Sequence, residues 1–146
     1  MKVRWNSAYA IGNVLRNTSL VSQSALTWRA TLIDALLDTV RDCKNFKVRI
    51  NATQSLSCVA TRALYPDTQF VRMWSVLLNS LLTIDAVSDV TEFRYKQTLT
   101  HQIIQTLLHA IDVCQPATDG KLLKEILTQH GKAFIAAFER EEFKPK

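Results

Sequence analysis

Glycine, proline and cysteine are scarce in this 146-residue chain, which contains only three of each. Together with 47% hydrophobic residues, this scarcity is typical of an ordered globular chain about one domain long. The cysteines, Cys43, Cys58 and Cys114, are odd in number and form no CxxC pair. We therefore expect reduced thiols, and the pattern argues against a secreted disulfide framework.

Long apolar segments are also absent. No run approaches the roughly eighteen residues that a membrane span requires. The opening residues 1–6 lead into no signal-peptide core. These absences predict a protein of the cytoplasm or nucleus that has no membrane partner.

The sequence carries no catalytic motif. His101, His109 and His130 are too scattered to share a metal ion, and no HExxH or Cys/His cluster occurs. Cys58 has no histidine near it in sequence and is expected to pack as a small apolar residue. A GxSxG elbow and a Gly-rich phosphate loop are missing as well. We therefore predict that the chain is not an enzyme and has no catalytic residue, metal or cofactor.

The chain does contain a repeat with a period of 45 residues. Residues 47–56 are a diverged copy of residues 2–11, and residues 93–96 are a weaker third copy. A Leu-rich motif at 32–37 recurs at 77–82 and at 122–127. Such a period is typical of stacked two-helix units of the HEAT/armadillo kind, and no stretch alternates with period two for long enough to form a strand. We predict an all-α fold, a right-handed α-solenoid of antiparallel helix pairs.

Helical periodicity and capping signals divide the chain into one segment, residues 1–142, and a frayed tail, residues 143–146. The segment comprises a partial repeat at 2–16, repeats at 24–63 and 68–113, and a terminal helix at 119–142. The first helix carries the Val-Arg motif with no Leu-rich helix before it. The chain is therefore either a piece of a longer protein, which we favour, or it opens on an end cap.

Both ends of the predicted array lack a partner helix. The inward face of the first helix is predicted to contain Val3, Ser7, Ala10, Ile11 and Val14. The last helix presents Phe134, Ile135 and Phe138 with no helix after it. Because exposed apolar patches mark association surfaces, we expect self-association through these incomplete ends.

Three strings carry a family resemblance: Lys2-Val3-Arg4-Trp5-Asn6, residues 8–13 (AYAIGN) and residues 43–50 (CKNFKVRI). They resemble the C-terminal part of the HEAT repeat-containing protein 6 family, within the HEAT/armadillo α-solenoids. The likeness is strong over residues 2–56 and looser to about residue 110. It implies a fragment or short form of a large intracellular α-solenoid with no assigned activity, and it lends no catalytic residue. On this basis we predict a non-enzymatic scaffold for protein–protein interaction.

The repeat also predicts a binding column. Trp5, Ile50 and Tyr95 are matched at the 45-residue period, about 200° around their helices from the predicted core face. The resemblance implies that these helices line the concave surface, where the column continues through Tyr9, Gln54 and Leu99. Such a column suits an extended peptide or a partner helix. The alternative is that these side chains fill gaps between neighbouring helices.

The net charge of +5 has a local origin in a basic stripe, which comprises Lys2, Arg4, Arg41, Lys44, Lys47 and Arg49. The favoured interpretation is a ladder in which Arg4, Arg49 and Arg94 meet turn acids such as Asp42, Asp89 or Glu92. The other interpretation is a stripe that binds phosphates or an acidic peptide. Because the charge excess is modest, we favour a protein partner. The alternative is a solenoid that binds nucleic acid through its basic turns.

Overall fold

Helices make up nearly all of the described chain. The computed structural model describes residues 2–21, 27–86 and 90–140, and no strand occurs in these ranges. The α-helices are α1 (Lys2–Arg16), α2 (Thr18–Val21), α3 (Thr27–Asp42), α4 (Phe46–Leu56), α5 (Asp67–Thr83), α6 (Val90–Val113) and α7 (Pro116–Glu139). Short 3₁₀ turns follow α4 and α5, at Arg62–Leu64 and Ile84–Ala86. The all-α prediction is confirmed, and the predicted tail 143–146 lies outside the described residues.

The helices form two layers. One layer contains α1, α4 and α6 side by side, and the other contains α3, α5 and α7. Between the layers, α3 packs on α4 and α5 packs on α6. Helices α1 and α4 run parallel. Two hydrogen bonds show this direction: Asn51 Nδ2 donates to the Trp5 carbonyl (3.2 Å), and further along both helices Ser55 Oγ donates to the Ala8 carbonyl (2.7 Å).

Helix α4 lies at the centre of the molecule. Asn45 caps its start by accepting a hydrogen bond from Val48 N at 3.1 Å. Its end comes at Leu56, earlier than the predicted limit of 63, where the Tyr65 hydroxyl donates to the Leu56 carbonyl at 2.5 Å. Because α1, α3 and α6 all pack against α4, it exposes only one strip, which consists of Lys47, Ile50 and Gln54.

The three copies of the Leu-rich motif are buried to different degrees. Ile33, Leu78 and Leu123 occupy the same position of the repeat, and all three are buried. The position four residues later is 0% exposed at Leu37 but 48% at Leu82 and 40% at Leu127. One position of the motif is therefore buried in all three copies. The position four residues later is buried in α3 but exposed in α5 and α7.

The rotation of α1 differs from the prediction. Its buried residues are Ala8, Gly12 and Leu15, whereas Val3 is 76% exposed, Ser7 and Ala10 are exposed, and Ile11 and Val14 are half-buried. The reason is the close approach of α4, since a Cβ atom at Gly12 would lie 2.6 Å from Ser55 Oγ. Helix α1 thus turns Ala8 and Gly12 towards α4, and the predicted inward face was wrong for Val3, Ser7 and Ala10.

A buried ion cluster joins the turn before α5 to the first turn of α7. The Arg62 guanidinium donates to both Asp119 carboxylate oxygens (2.8–3.0 Å), to Asp67 (2.6 Å) and to the Tyr65 carbonyl (2.9 Å). It also lies 4.2 Å from the Phe70 ring centroid. The Arg62 hydrogen bond holds the pKa of Asp119 below its usual range. No local sequence pattern points to this cluster, because Arg62 and Asp119 are 57 residues apart in sequence.

Candidate functional site

The structure tests each position of the predicted binding column. Trp5 is 44% and Tyr9 is 56% exposed on α1, Gln54 is exposed on α4, and Ile50 and Tyr95 are half-buried. Leu99, by contrast, is fully buried in the core. The prediction that Leu99 contributes to a surface column was therefore wrong.

Leu99 is buried because α6 packs against α4 at a different sequence offset from that between α1 and α4. Ala8 and Thr53 are equivalent in the repeat, and the Ala8 carbonyl accepts from Ser55, which is 47 residues away. The Thr53 carbonyl accepts instead from Thr106, 53 residues away, and not from the equivalent of Ser55, Thr100. The sequence offset between hydrogen-bonded residues is therefore 47 for the α1–α4 pair and 53 for the α4–α6 pair. Because of this shift, the α6 face that a strict 45-residue period assigns to the surface lies in the core at Leu99.

Trp5 lines an open groove between the starts of α1 and α4. The groove has a volume of about 650 Å³ and is lined by Lys2, Trp5, Asn6, Asn45, Lys47 and Val48. The Trp5 and Tyr9 rings are nearly parallel, with an interplanar angle of 10° and centroids 6.4 Å apart. The structure thus brings two residues of the predicted basic stripe, Lys2 and Lys47, together with one residue of the predicted column.

Lys47 connects this groove to Tyr95 on α6. Its Nζ lies 5.0 Å from the Tyr95 ring centroid, and the Arg94 guanidinium carbon lies 4.7 Å from the same centroid. The Lys47 hydrogen bond lowers the pKa of the Tyr95 hydroxyl, and the positive charge of Arg94 adds to this effect. We name the whole region the basic–aromatic surface and define it as Lys2, Trp5, Tyr9, Lys47, Arg94 and Tyr95.

The cations of the basic–aromatic surface carry unneutralised charge. Within the ranges that the structure describes, Lys2, Lys47 and Arg94 take part in no ion pair. The carboxylate of Glu92, in the first turn of α6, accepts a hydrogen bond from Phe46 N at 2.7 Å and pairs with none of these three cations. The surface is therefore positively charged beside exposed aromatic rings.

The predicted ladder of Arg4, Arg49 and Arg94 does not form among the described residues. Asp42 pairs with Arg41 at 2.7 Å, and Asp89 lies outside the described residues. Arg49 is only 7% exposed, and its Nε has no hydrogen-bond partner. Burial lowers the pKa of this guanidinium.

A ladder exists in the other layer instead. Arg72 of α5 forms ion pairs with Asp34 (2.6 Å) and with Asp38 of α3. Of the remaining predicted stripe residues, Arg41 is neutralised by Asp38 and Asp42. Lys44 is exposed on the turn after α3, and Arg4 lines a second groove, of about 430 Å³, between α1 and α3.

The histidines and cysteines of the described ranges form no cluster of metal ligands. No three His, Cys, Asp or Glu residues there lie close enough to hold a metal ion. His109 Nε2 hydrogen-bonds to the Val59 carbonyl at 2.8 Å, and Arg16 donates to Cys58 Sγ at 3.2 Å. None of the helices described is long and apolar enough to cross a membrane.

Comparison with known proteins finds similarity in sequence alone. No family model matches the chain, and no solved structure matches it. An uncharacterized protein of Dictyostelium discoideum is 27% identical over 151 aligned residues, which cover 97% of this chain and 10% of that protein. The chain thus spans about a tenth of the length of this relative, whose description assigns no activity.

Proposed function

We propose that this chain is a segment of a HEAT-type α-solenoid that acts as a non-enzymatic scaffold for protein–protein interaction in the cytoplasm or nucleus. The observation that carries the proposal is the single strip that α4 leaves open, Lys47, Ile50 and Gln54, next to the exposed rings of Trp5 and Tyr9. Aromatic residues are enriched in interfaces and account for much of their binding energy.

The layer arrangement and the family resemblance support the solenoid part of the proposal. Equivalent helices of the repeat, α1, α4 and α6, lie in one layer, and the Leu-rich helices α3, α5 and α7 lie in the other. Stacked repeats produce such a layering because each helix pair buries its apolar face against the next pair. A relative about ten times longer than this chain agrees with a segment of a larger protein.

The burial pattern supports a binding role for Trp5 and Tyr9. Trp5 and Tyr9 retain about half of their surface, which favours binding, whereas Leu99 contributes to the core. Substitution of Trp5 by Ser should therefore leave the folded state intact and abolish partner binding. The same change at Leu99 should unfold the chain, since loss of a buried Leu side chain costs roughly 2–5 kcal/mol.

The test is affinity purification of bound proteins combined with thermal unfolding. The Trp5→Ser and Tyr9→Ser variants should keep the melting temperature and lose a partner that the unmodified chain retains. Leu20→Ser is the matched control, because Leu20 on α2 is 44% exposed, the same as Trp5, and it should retain the partner. Equal recovery of the partner by folded Trp5→Ser and Tyr9→Ser proteins would contradict the proposal.

A second candidate function is binding of single-stranded nucleic acid. The observation that favours it is the presence of three cations beside exposed aromatic rings, an arrangement that suits phosphates and bases. Binding to single-stranded RNA or DNA should then weaken steeply between about 50 and 200 mM salt. Absence of binding at low salt eliminates this candidate.

A further inference from the structure

The positive charge of the basic–aromatic surface favours an anionic partner. Lys2 and Lys47 lie in the first turns of α1 and α4, and neither helix has an acidic residue there. Cations at a helix N-terminus oppose the helix dipole. At α4 the Glu92 carboxylate of α6 accepts a hydrogen bond from Phe46 N at 2.7 Å but forms no ion pair with Lys47. With Arg94, Lys2 and Lys47 form a group of cations without a carboxylate partner in the described chain.

The aromatic rings favour a peptide over a nucleic acid. Stacking of a base requires an open ring face. The Tyr95 ring already carries Lys47 and Arg94 at 5.0 and 4.7 Å, and the Trp5 ring lies nearly parallel to Tyr9. Ile50 lies in the strip that α4 leaves open beside Lys47, and its aliphatic side chain offers packing area and no stacking face.

The packing of the three helices sets the length of the partner. Helices α1, α4 and α6 are consecutive neighbours, and neighbouring helix axes lie roughly 8–10 Å apart. The surface therefore extends about 16–20 Å from α1 to α6. A chain in extended conformation advances about 3.3 Å per residue, so about six residues cross it.

We propose that the basic–aromatic surface binds an extended acidic peptide segment of about six residues. Its carboxylates pair with Lys2, Lys47 and Arg94, and its apolar side chains pack on Trp5 and Ile50. This inference rests on the proposed function, because it names the chemistry of the partner for the same surface. Charge complementarity of this kind determines specificity and the association rate.

The experiment uses the whole chain and two labelled peptides, one of repeated Glu-Glu-Leu and one of repeated Gln-Gln-Leu, in fluorescence anisotropy. The Glu peptide should bind about tenfold tighter at low salt, and added salt should remove the difference. Joint substitution Lys2→Ala and Lys47→Ala should weaken Glu-peptide binding about fivefold. The Trp5→Ser change should weaken both peptides.

The matched control is joint substitution Lys121→Ala and Lys124→Ala. It removes the same charge from exposed positions of α7 and should leave the affinity unchanged. Circular dichroism verifies that all variants keep their helix content.

Three outcomes overturn the inference. If the Gln peptide binds as tightly as the Glu peptide and Trp5→Ser weakens both, the inference fails and the proposed function stands. Tighter binding of oligothymidylate than of the Glu peptide replaces the inference with the nucleic-acid candidate. Failure of both peptides to bind also overturns it, and the Trp5→Ser partner assay then decides the proposed function separately.

Discussion

At the residue scale, the buried Arg62–Asp119 ion pair joins the turn before α5 to the first turn of α7. Asp119 is 57 residues from Arg62 in sequence and 1% exposed. Removal of Asp119 leaves Arg62 paired only with the exposed carboxylate of Asp67, and loss of one member of a buried pair typically costs about 3–5 kcal/mol. We predict a loss of about this size for Asp119→Ala in urea unfolding. Asp112→Ala, at an exposed position of α6, should change stability by less than about 0.5 kcal/mol.

The same pair predicts a pH dependence. In the folded chain the pKa of Asp119 is lowered by Arg62, whereas in the unfolded chain it is near the usual value of about 3.9. The pair therefore stabilises the fold fully above that value, and the contribution is lost as the pH falls through the lowered folded pKa. Unfolding of Asp119→Asn should show a weaker acid dependence than the unmodified chain. Identical slopes below about pH 4 would refute this assignment.

At the element scale, the contact between α1 and α4 depends on Gly12. A Cβ atom there would lie 2.6 Å from Ser55 Oγ and 3.1 Å from Ser55 Cβ. Gly12→Ala should therefore destabilise the chain by roughly 1–3 kcal/mol, although Ala normally favours a helix over Gly by about 1 kcal/mol. Adding Ser55→Ala should recover only part of the loss, because the Cβ contact remains and the hydrogen bond to Ala8 is removed.

Helix α7 provides the matched control for Gly12. Around Gly131 nothing lies within 4 Å of the Cβ position, so Gly131→Ala should stabilise by about 0.5–1 kcal/mol. Urea unfolding measures both variants. If Gly12→Ala were as stabilising as Gly131→Ala, the close packing of α1 on α4 would be disproved.

At the scale of the whole molecule, the apolar edge of α7 should drive self-association. Leu127, Ile135 and Phe138 lie on one face of α7 and are 40%, 55% and 46% exposed. Contiguous apolar surface of this kind promotes contacts between copies. Light scattering should show association that increases with concentration and decreases in a Leu127→Lys, Ile135→Lys variant. Leu20→Lys, at an equally exposed site on α2, is the control, and a monodisperse unmodified monomer at high concentration would exclude the prediction.

The sequence by itself determined the helical class and the approximate positions of the helices. The 45-residue period identified equivalent helices, and those helices lie in the same layer. The period also placed Trp5, Tyr9 and Gln54 at the surface, and all three are exposed. These predictions depend on local propensity and spacing, which a single sequence records directly.

Only the tertiary structure decided which side of each helix is covered. Periodicity groups residues on a common face, but the neighbour that covers the face depends on how closely and at which offset two helices pack. Close approach at Gly12 rotated α1 and exposed Val3, and the altered offset of α6 buried Leu99. Burial of Arg49 and the pairing of Arg62 with Asp119 arise in the same way, since each charge acquires its surroundings from residues distant in sequence.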